Sequence, residues 1–313
     1  MRLLSLFLSL NPSYEHMHVN GGSDTMKEQL QELLEKRVRQ CVSNERESIH
    51  TCMKIKNKKR SLEKRGASIV KAKAIGKIKG EPHIQEDSKY ISYKAHFQYL
   101  IKQGKTFYIE EEVEERVAEF YKETLVEDKE KLVLYDQDTV DILEEDSRSS
   151  YPFHFDRRKA VQYAEKWWNS HNPQFHAFDV DCTNYISQCL HAGGAPMRGF
   201  PARGTGWWMR SKNWSYSWSV AHSMRIHLAN STIGLRAKEV ERPEELLLGD
   251  VICYDFQGDG RFDHTTIVTA KDEQNMPLVN AHTTNSRKRY WDYEDSTAYT
   301  ENIKYKFFTI YDA

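Results

Sequence analysis

The chain has 313 residues, 39% of them hydrophobic and 12% aromatic, which excludes global disorder and allows one large domain or two modest ones. Its 45 basic residues are balanced by 46 acidic ones, a formal net charge of -1, so neither nucleic acid nor an anionic membrane is the expected partner. Five widely spaced cysteines (41, 52, 182, 189 and 253), without a C-x-x-C pair or zinc spacing, exclude a dense disulfide scaffold and leave at least one thiol free.

Residues 1–24 read as a flexible N-terminus. Leu3 to Leu10 is an apolar run too short to span a bilayer, and it lacks a small-x-small cleavage site before Asn11-Pro12. A helix then begins at the capping box Thr25-x-x-Glu28, with Leu30, Leu33, Leu34 and Val38 at helical spacing. The basic stretch Lys54 to Arg65 reads as a solvated face or turn. From Ala67 the period becomes two: Val70, Ala72, Ala74 and Ile78 oppose Lys71, Lys73, Lys77 and Lys79, and Tyr93 to Ile101 alternates likewise. Thr106 to Ile109 and Lys131 to Tyr135 are strand-like, and the acidic run Glu110 to Glu119 fits strand or helix. A helix followed by an antiparallel meander predicts a small accessory α+β domain over 25–140.

Asp136 to Ser150 is acidic and Ser-rich, with a linker at 141–150. A second domain is expected over 151–313, and all seven tryptophans lie in it. Asp156 can cap a helix to Trp168 whose apolar stripe is Ala160, Val161, Ala164, Trp167 and Trp168. After a loop, Tyr185, Ile186, Cys189 and Leu190 form a second stripe ended by Gly193-Gly194, which puts Cys182 at a helix start. Unpaired N–H groups there favour a thiolate and can donate to an oxyanion. A cysteine chosen at random is usually an inert core residue, and Cys189, one face deeper, is expected to be that.

Leu246 to Tyr254 is a Gly-Asp turn entering a strand. The turn Gln257-Gly258-Asp259-Gly260 returns the chain so that His264 opens the second strand of a hairpin. The next strand, Pro277 to Thr283, carries Asn280 and His282 on one face. Either could orient the His264 imidazole, as the third member of a triad does.

Asp-Cys-Thr-Asn-Tyr-Ile-Ser-Gln at 181–188, Gly-Asp-Val-Ile at 249–252, Asp-His-Thr-Thr-Ile-Val at 263–268 and Ala-His-Thr-Thr-Asn at 281–285 resemble an amidase domain family of Bacillus-type bacteria. That family is similar in layout to NlpC-type and CHAP-type peptidases of the papain-like superfamily. The resemblance covers about residues 151 to 310. It implies an α+β, papain-like cysteine hydrolase domain whose nucleophile-bearing helix packs on an antiparallel sheet. It makes Cys182 the nucleophile, His264 the base and His282 the orienting residue; alignment to NlpC-type enzymes would give that role to Asn280. Asp181 and Asn172 are further candidates for orienting or oxyanion roles. Asn172 and Phe175 stand in the loop where NlpC-type enzymes carry a tyrosine.

The expected reaction is amide hydrolysis through an acyl-enzyme, with no metal or organic cofactor, on a peptide or peptidoglycan-like substrate. Acyl transfer to an amine or lipid, and an inactive peptide- or glycan-binding module, are the rival readings. The lack of a convincing signal peptide favours the cytoplasm, with which a reduced nucleophile is compatible, whereas a cell-wall substrate favours the envelope or spore. Asp255-x-Gln257-x-Asp259-Gly260 begins like a calcium loop, but Thr266 stands at its twelfth position, so a tight turn is expected. The aromatic run Trp207, Trp208, Trp214, Tyr216 and Trp218 fits core packing or a substrate groove.

Overall fold

The computed structural model describes residues 24–42, 52–131, 153–210 and 212–312. The N-terminal apolar run, the linker at 141–150 and all but Lys131 of the strand expected at 131–135 lie outside them. Helix α1 (Asp24–Val42) buries Met26, Leu30, Leu34 and Cys41. Lys54 to Arg65 is not a turn: it forms α2 (Met53–Lys64), which buries Ile55, Lys58, Ser61 and Leu62. The strands β1 (Ala67–Ile78), β2 (His83–Gln85), β3 (Ser88–Gln103), β4 (Thr106–Tyr121) and β5 (Thr124–Glu130) follow, so the acidic run is strand. Alternation puts Ile91, Tyr93, Ala95, Phe97, Tyr99 and Ile101 of β3 into one core with α1 and α2. Each large apolar side chain so buried contributes about 1.5–3 kcal/mol.

The second half gives α3 (Arg157–Trp167), capped by Asp156 through Lys159 N at 3.0 Å, and α4 (Cys182–Ala192). A short hairpin of β6 (Met209–Arg210) and β7 (Asn213–Trp214) precedes α5 (Tyr216–Ser219) and α6 (Ala221–Asn230). The chain ends with β8 (Ala237–Val240), β9 (Val251–Asp255), β10 (His264–Lys271), β11 (Pro277–Ala281), β12 (Asn285–Tyr290) and β13 (Lys304–Ile310).

All pairings are antiparallel, and one sheet runs β1-β3-β4-β12-β11-β10-β9-β13-β8, with β2 on β3 and β5 on β4. The seam between the two halves is a strand pair, Asn285↔Val113, Ser286↔Glu112 and Arg287↔Glu111. It is reinforced by Arg287, which bridges Glu111 of β4 at 2.7 Å and Glu165 of α3 at 2.5 Å. The protein is therefore α+β, with a large antiparallel sheet and helices on both of its faces. No helix among the described residues is long and apolar enough to cross a membrane.

Alternation along β4 sends Glu110, Glu112, Glu114 and Arg116 to the face covered by α1 and α2. There Lys54 meets Glu112 at 3.3 Å, Arg116 meets Glu114 at 2.5 Å and Arg37 meets Asp128 at 2.7 Å. Burial opposes ionisation of Glu114, yet Lys54 and Arg116 hold its carboxyl down to about 2. A strand this acidic can be buried because the basic run of α2 faces it.

Candidate active site

The Asp-Cys-Thr-Asn-Tyr-Ile-Ser block is a set of bonds that fix the start of α4. Asp181 Oδ1 accepts the Phe178 N–H at 3.0 Å and the Asn184 amide at 2.8 Å, while Oδ2 meets His282 Nδ1 at 2.7 Å. Asn184 also donates to the His176 carbonyl and accepts from Trp218 Nε1, both at 2.8 Å, tying down the loop that precedes α4. Thr183 Oγ1 meets Thr265 Oγ1 at 3.2 Å. Tyr185 stacks on the His282 ring at 3.9 Å, and Ser187 joins Trp207 Nε1 to the Trp218 carbonyl. Residues 182–190 are all buried, and Trp207, Trp208 and Trp218 pack fully inside, so core packing holds for those three rings.

Cys182 is the first residue of α4 and is only 2% exposed. Its backbone N–H and that of Asp181 both donate to Thr283 Oγ1 at 3.1 Å. Two donors thus converge on one oxygen beside the sulfur, the arrangement an oxyanion site requires. Thr283 holds φ 81°, an unusual conformation for a β-branched residue. Burial pushes the Cys182 thiol above its ordinary value, more strongly than hydrogen bonds from Thr183, Thr265 and Thr283 pull it down. Burial also pushes Cys189 and Cys253 up.

His264 opens β10. Its neighbour Thr265 faces α4, so the His264 ring projects from the other face, among Tyr254, Phe256 and Tyr293. Its Nε2 meets the Tyr293 hydroxyl at 3.3 Å. Burial, with the charge of Arg289 second, pushes the imidazole down to about 3. Tyr293 has its hydroxyl pushed above the ordinary value, by burial first and by charge on Cys182 least. It adopts φ 58° and carries the Arg289 guanidinium over its ring at 4.2 Å. The local sequence Asp292-Tyr293-Glu294-Asp295 reads only as a polar turn, so nothing in it pointed to this residue.

His282 is bonded away from His264: Nδ1 meets Asp181, and Nε2 meets the Trp167 carbonyl at 2.7 Å. Asn280 is likewise engaged elsewhere, accepting from Thr269 at 2.8 Å and donating to Glu165 at 3.1 Å. Asn172 donates to Tyr163, which in turn donates to Gln188. His282 and Asn172 therefore brace α4 and the loop before it, whereas Asn280 ties β10 and β12 to α3.

The ring nitrogens of His171 and His282 and a carboxylate oxygen of Asp181 lie within 4.8 Å of one another, a donor set with the chemistry zinc accepts. Two ligands on one tetrahedral zinc stand about 3.3 Å apart, given bonds of about 2.0 Å. His282 Nδ1 and Asp181 Oδ2, at 2.7 Å, share a hydrogen bond and stand closer than two zinc ligands, whereas His171 Nδ1 stands 3.4 Å from the same oxygen. The calcium-like segment is a turn: Asp255 accepts the N–H groups of Gly258, Asp259 and Gly260. The Gly-Asp-Val-Ile block is structural too, since Asp250 accepts from Leu247 N, Ile310 N and Arg157.

A family described as Putative amidase domain matches residues 154–308, which hold Cys182, His264 and His282. The uncharacterized protein YhbB of Bacillus subtilis strain 168 is 54% identical over 267 residues, covering 82% of this chain and 86% of that one. The uncharacterized protein YjcM of the same strain is 33% identical over 136 residues, 40% of this chain and 30% of its own. No solved structure matches the chain.

Proposed function

The chain belongs to the Putative amidase domain family, and from that premise we propose that it cleaves carbon–nitrogen amide bonds with Cys182 as nucleophile and His264 as base. The observation that carries the reading is the pair of N–H groups, from Asp181 and Cys182, aimed at one oxygen position at the start of a buried helix. A carbonyl oxygen taking the place of Thr283 Oγ1 would meet two donors there as negative charge develops.

In the proposed reaction the His264 imidazole, which projects from the sheet face away from α4 in the resting structure, turns toward the sulfur and takes the Cys182 proton as the sulfur bonds to the carbonyl carbon. The tetrahedral species collapses as the carbon–nitrogen bond breaks and the proton passes to the leaving amine. Water, deprotonated by His264, then releases the acid and the free thiol. Tyr293 orients the base in this scheme, and the Asp181–His282 pair holds the start of α4. The papain-like arrangement of the fold, and a bacterial cell-wall peptide as substrate, belong to the same reading and rest on the resemblance of the motifs.

The test is release of amine from peptide amides, cell-wall peptides included, by the wild type, Cys182→Ala and His264→Ala. Loss of at least a thousandfold in kcat/KM in both folded variants supports the reading, and full activity in Cys182→Ala sinks it. Product that forms only with an added amine acceptor would indicate acyl transfer instead.

A further inference from the structure

Lys58 belongs to α2, in the half of the chain outside residues 154–308, yet its side chain is 5% exposed. Burying an ammonium costs several kcal/mol unless partners compensate it. Its partners are Glu110 of β4 and Asp295, the latter at 2.6 Å. Asp295 turns its other oxygen to Arg289, accepting from Nε at 2.9 Å and Nη2 at 2.7 Å. The Arg289 guanidinium lies 4.2 Å from the centre of the Tyr293 ring, and the Tyr293 hydroxyl meets His264. Every member of this chain is buried.

We propose that Lys58 is a positioning residue for the Cys182–His264 centre, acting through Asp295, Arg289 and Tyr293, so that the N-terminal layer is part of the catalytic unit. The claim rests on the catalytic reading above for its consequence, though not for its geometry. Plain stabilisation is the simpler account of a buried ion pair, but two features of this chain point beyond it. It ends at a tyrosine held at positive φ, a conformation a bulky residue keeps only when its surroundings over-determine it. It also crosses the β4–β12 seam, where removing either half would leave charges of the other half buried and uncompensated. The alignment with YhbB, over 82% of this chain, is longer than residues 154–308, so that resemblance reaches into the N-terminal layer.

Lys58→Met leaves Asp295 to Arg289 alone, which draws the guanidinium toward the carboxylate and shifts Tyr293 on His264. The full chain, labelled for NMR of its histidine rings, reports this directly. In Lys58→Met the His264 ring signal and its titration midpoint move, and kcat for amide release falls at least tenfold with KM nearly unchanged. Lys58→Arg restores most of both, and Lys129→Met, at an exposed lysine, changes neither. If Lys58→Met does not fold, the pair Lys58→Met with Glu110→Gln removes one cation and one anion together and is read the same way. A folded variant whose His264 signal and pH profile match the wild type overturns the proposal, whatever its melting temperature. If instead the His264 signal moves while Cys182→Ala leaves wild-type activity intact, the coupling stands and the catalytic reading fails.

Discussion

The Thr283 hydroxyl accepts the backbone N–H of Cys182 at 3.1 Å, so the first donor of α4 is occupied from outside the helix. Asp181 N–H takes the same acceptor. Thr283→Val preserves the shape and removes that acceptor, leaving two donors in a buried place without it. The expected loss is about 1–3 kcal/mol in urea unfolding. Thr283→Ser keeps the oxygen and removes a β-branch that suits φ 81° poorly, so it should match or exceed the wild type. Equal stability of the valine and serine variants would mean that the N–H groups find other acceptors.

The resting pair is neutral on both sides, with the Cys182 thiol above its ordinary value of 9.0 and the His264 imidazole down at about 3. Activity that needs a neutral base then loses its acid limb only near pH 3, and the thiol does not ionise by itself until above pH 9. The predicted kcat/KM profile is flat from roughly pH 5 to 8. It is measured with buffers of constant ionic strength. An acid limb between pH 6 and 7 would show that the base in the working enzyme is far better solvated than His264 is here.

The helix at Cys182 and the hairpin at His264 were legible, because each is written in local period and turn chemistry; the strand expected over Pro277 to Thr283 ends at Ala281, so His282 sits in the turn beyond it rather than on a strand face with Asn280. The partners of those side chains were not legible. Nothing near His282 announces Asp181, which meets it across a distance of a hundred residues in sequence, and nothing near His264 announces Tyr293. Lys54 to Arg65 misled for the same reason. A basic run looks solvated until the acidic strand opposite it is known, and alternation hides that strand's buried carboxylates among residues that read equally well as helix. The continuous sheet was hidden most completely, since the β4–β12 pairing is between strands with no local signal for one another.

His227 on α6 is buried, with no hydrogen-bond partner for Nε2, and burial alone pushes its imidazole down to about 4. The unfolded chain takes up this proton near pH 6.5 and the folded chain only near 4. Between those values the unfolded state binds more protons, so stability falls as pH falls through the window. At about 1.36 kcal/mol per pH unit, the loss attributable to His227 reaches roughly 2–4 kcal/mol by pH 4. His227→Leu removes the titration, and its urea stability should decline correspondingly less than that of the wild type between pH 7 and pH 4. Parallel curves for the two proteins would assign the acid sensitivity to other groups.

Separating the two halves tests whether the N-terminal layer is dispensable for folding. A fragment of residues 153–313 retains Cys182 and His264, and it also retains β12, whose outer edge β4 no longer covers. An uncovered edge strand offers unpaired N–H and carbonyl groups to any other strand. The same cut strips Lys58 from Asp295 and Glu111 from Arg287, leaving buried or half-buried charge short of its partners. Losing one partner of a buried pair costs about 3–5 kcal/mol, a large part of the stability of a typical domain. The fragment alone should therefore associate or unfold, and co-expression with residues 24–131 should return a soluble one-to-one complex on size-exclusion chromatography. A monomeric fragment that melts cooperatively near the full-length temperature would mean that the seam adds little, and that the two halves are domains in the thermodynamic sense.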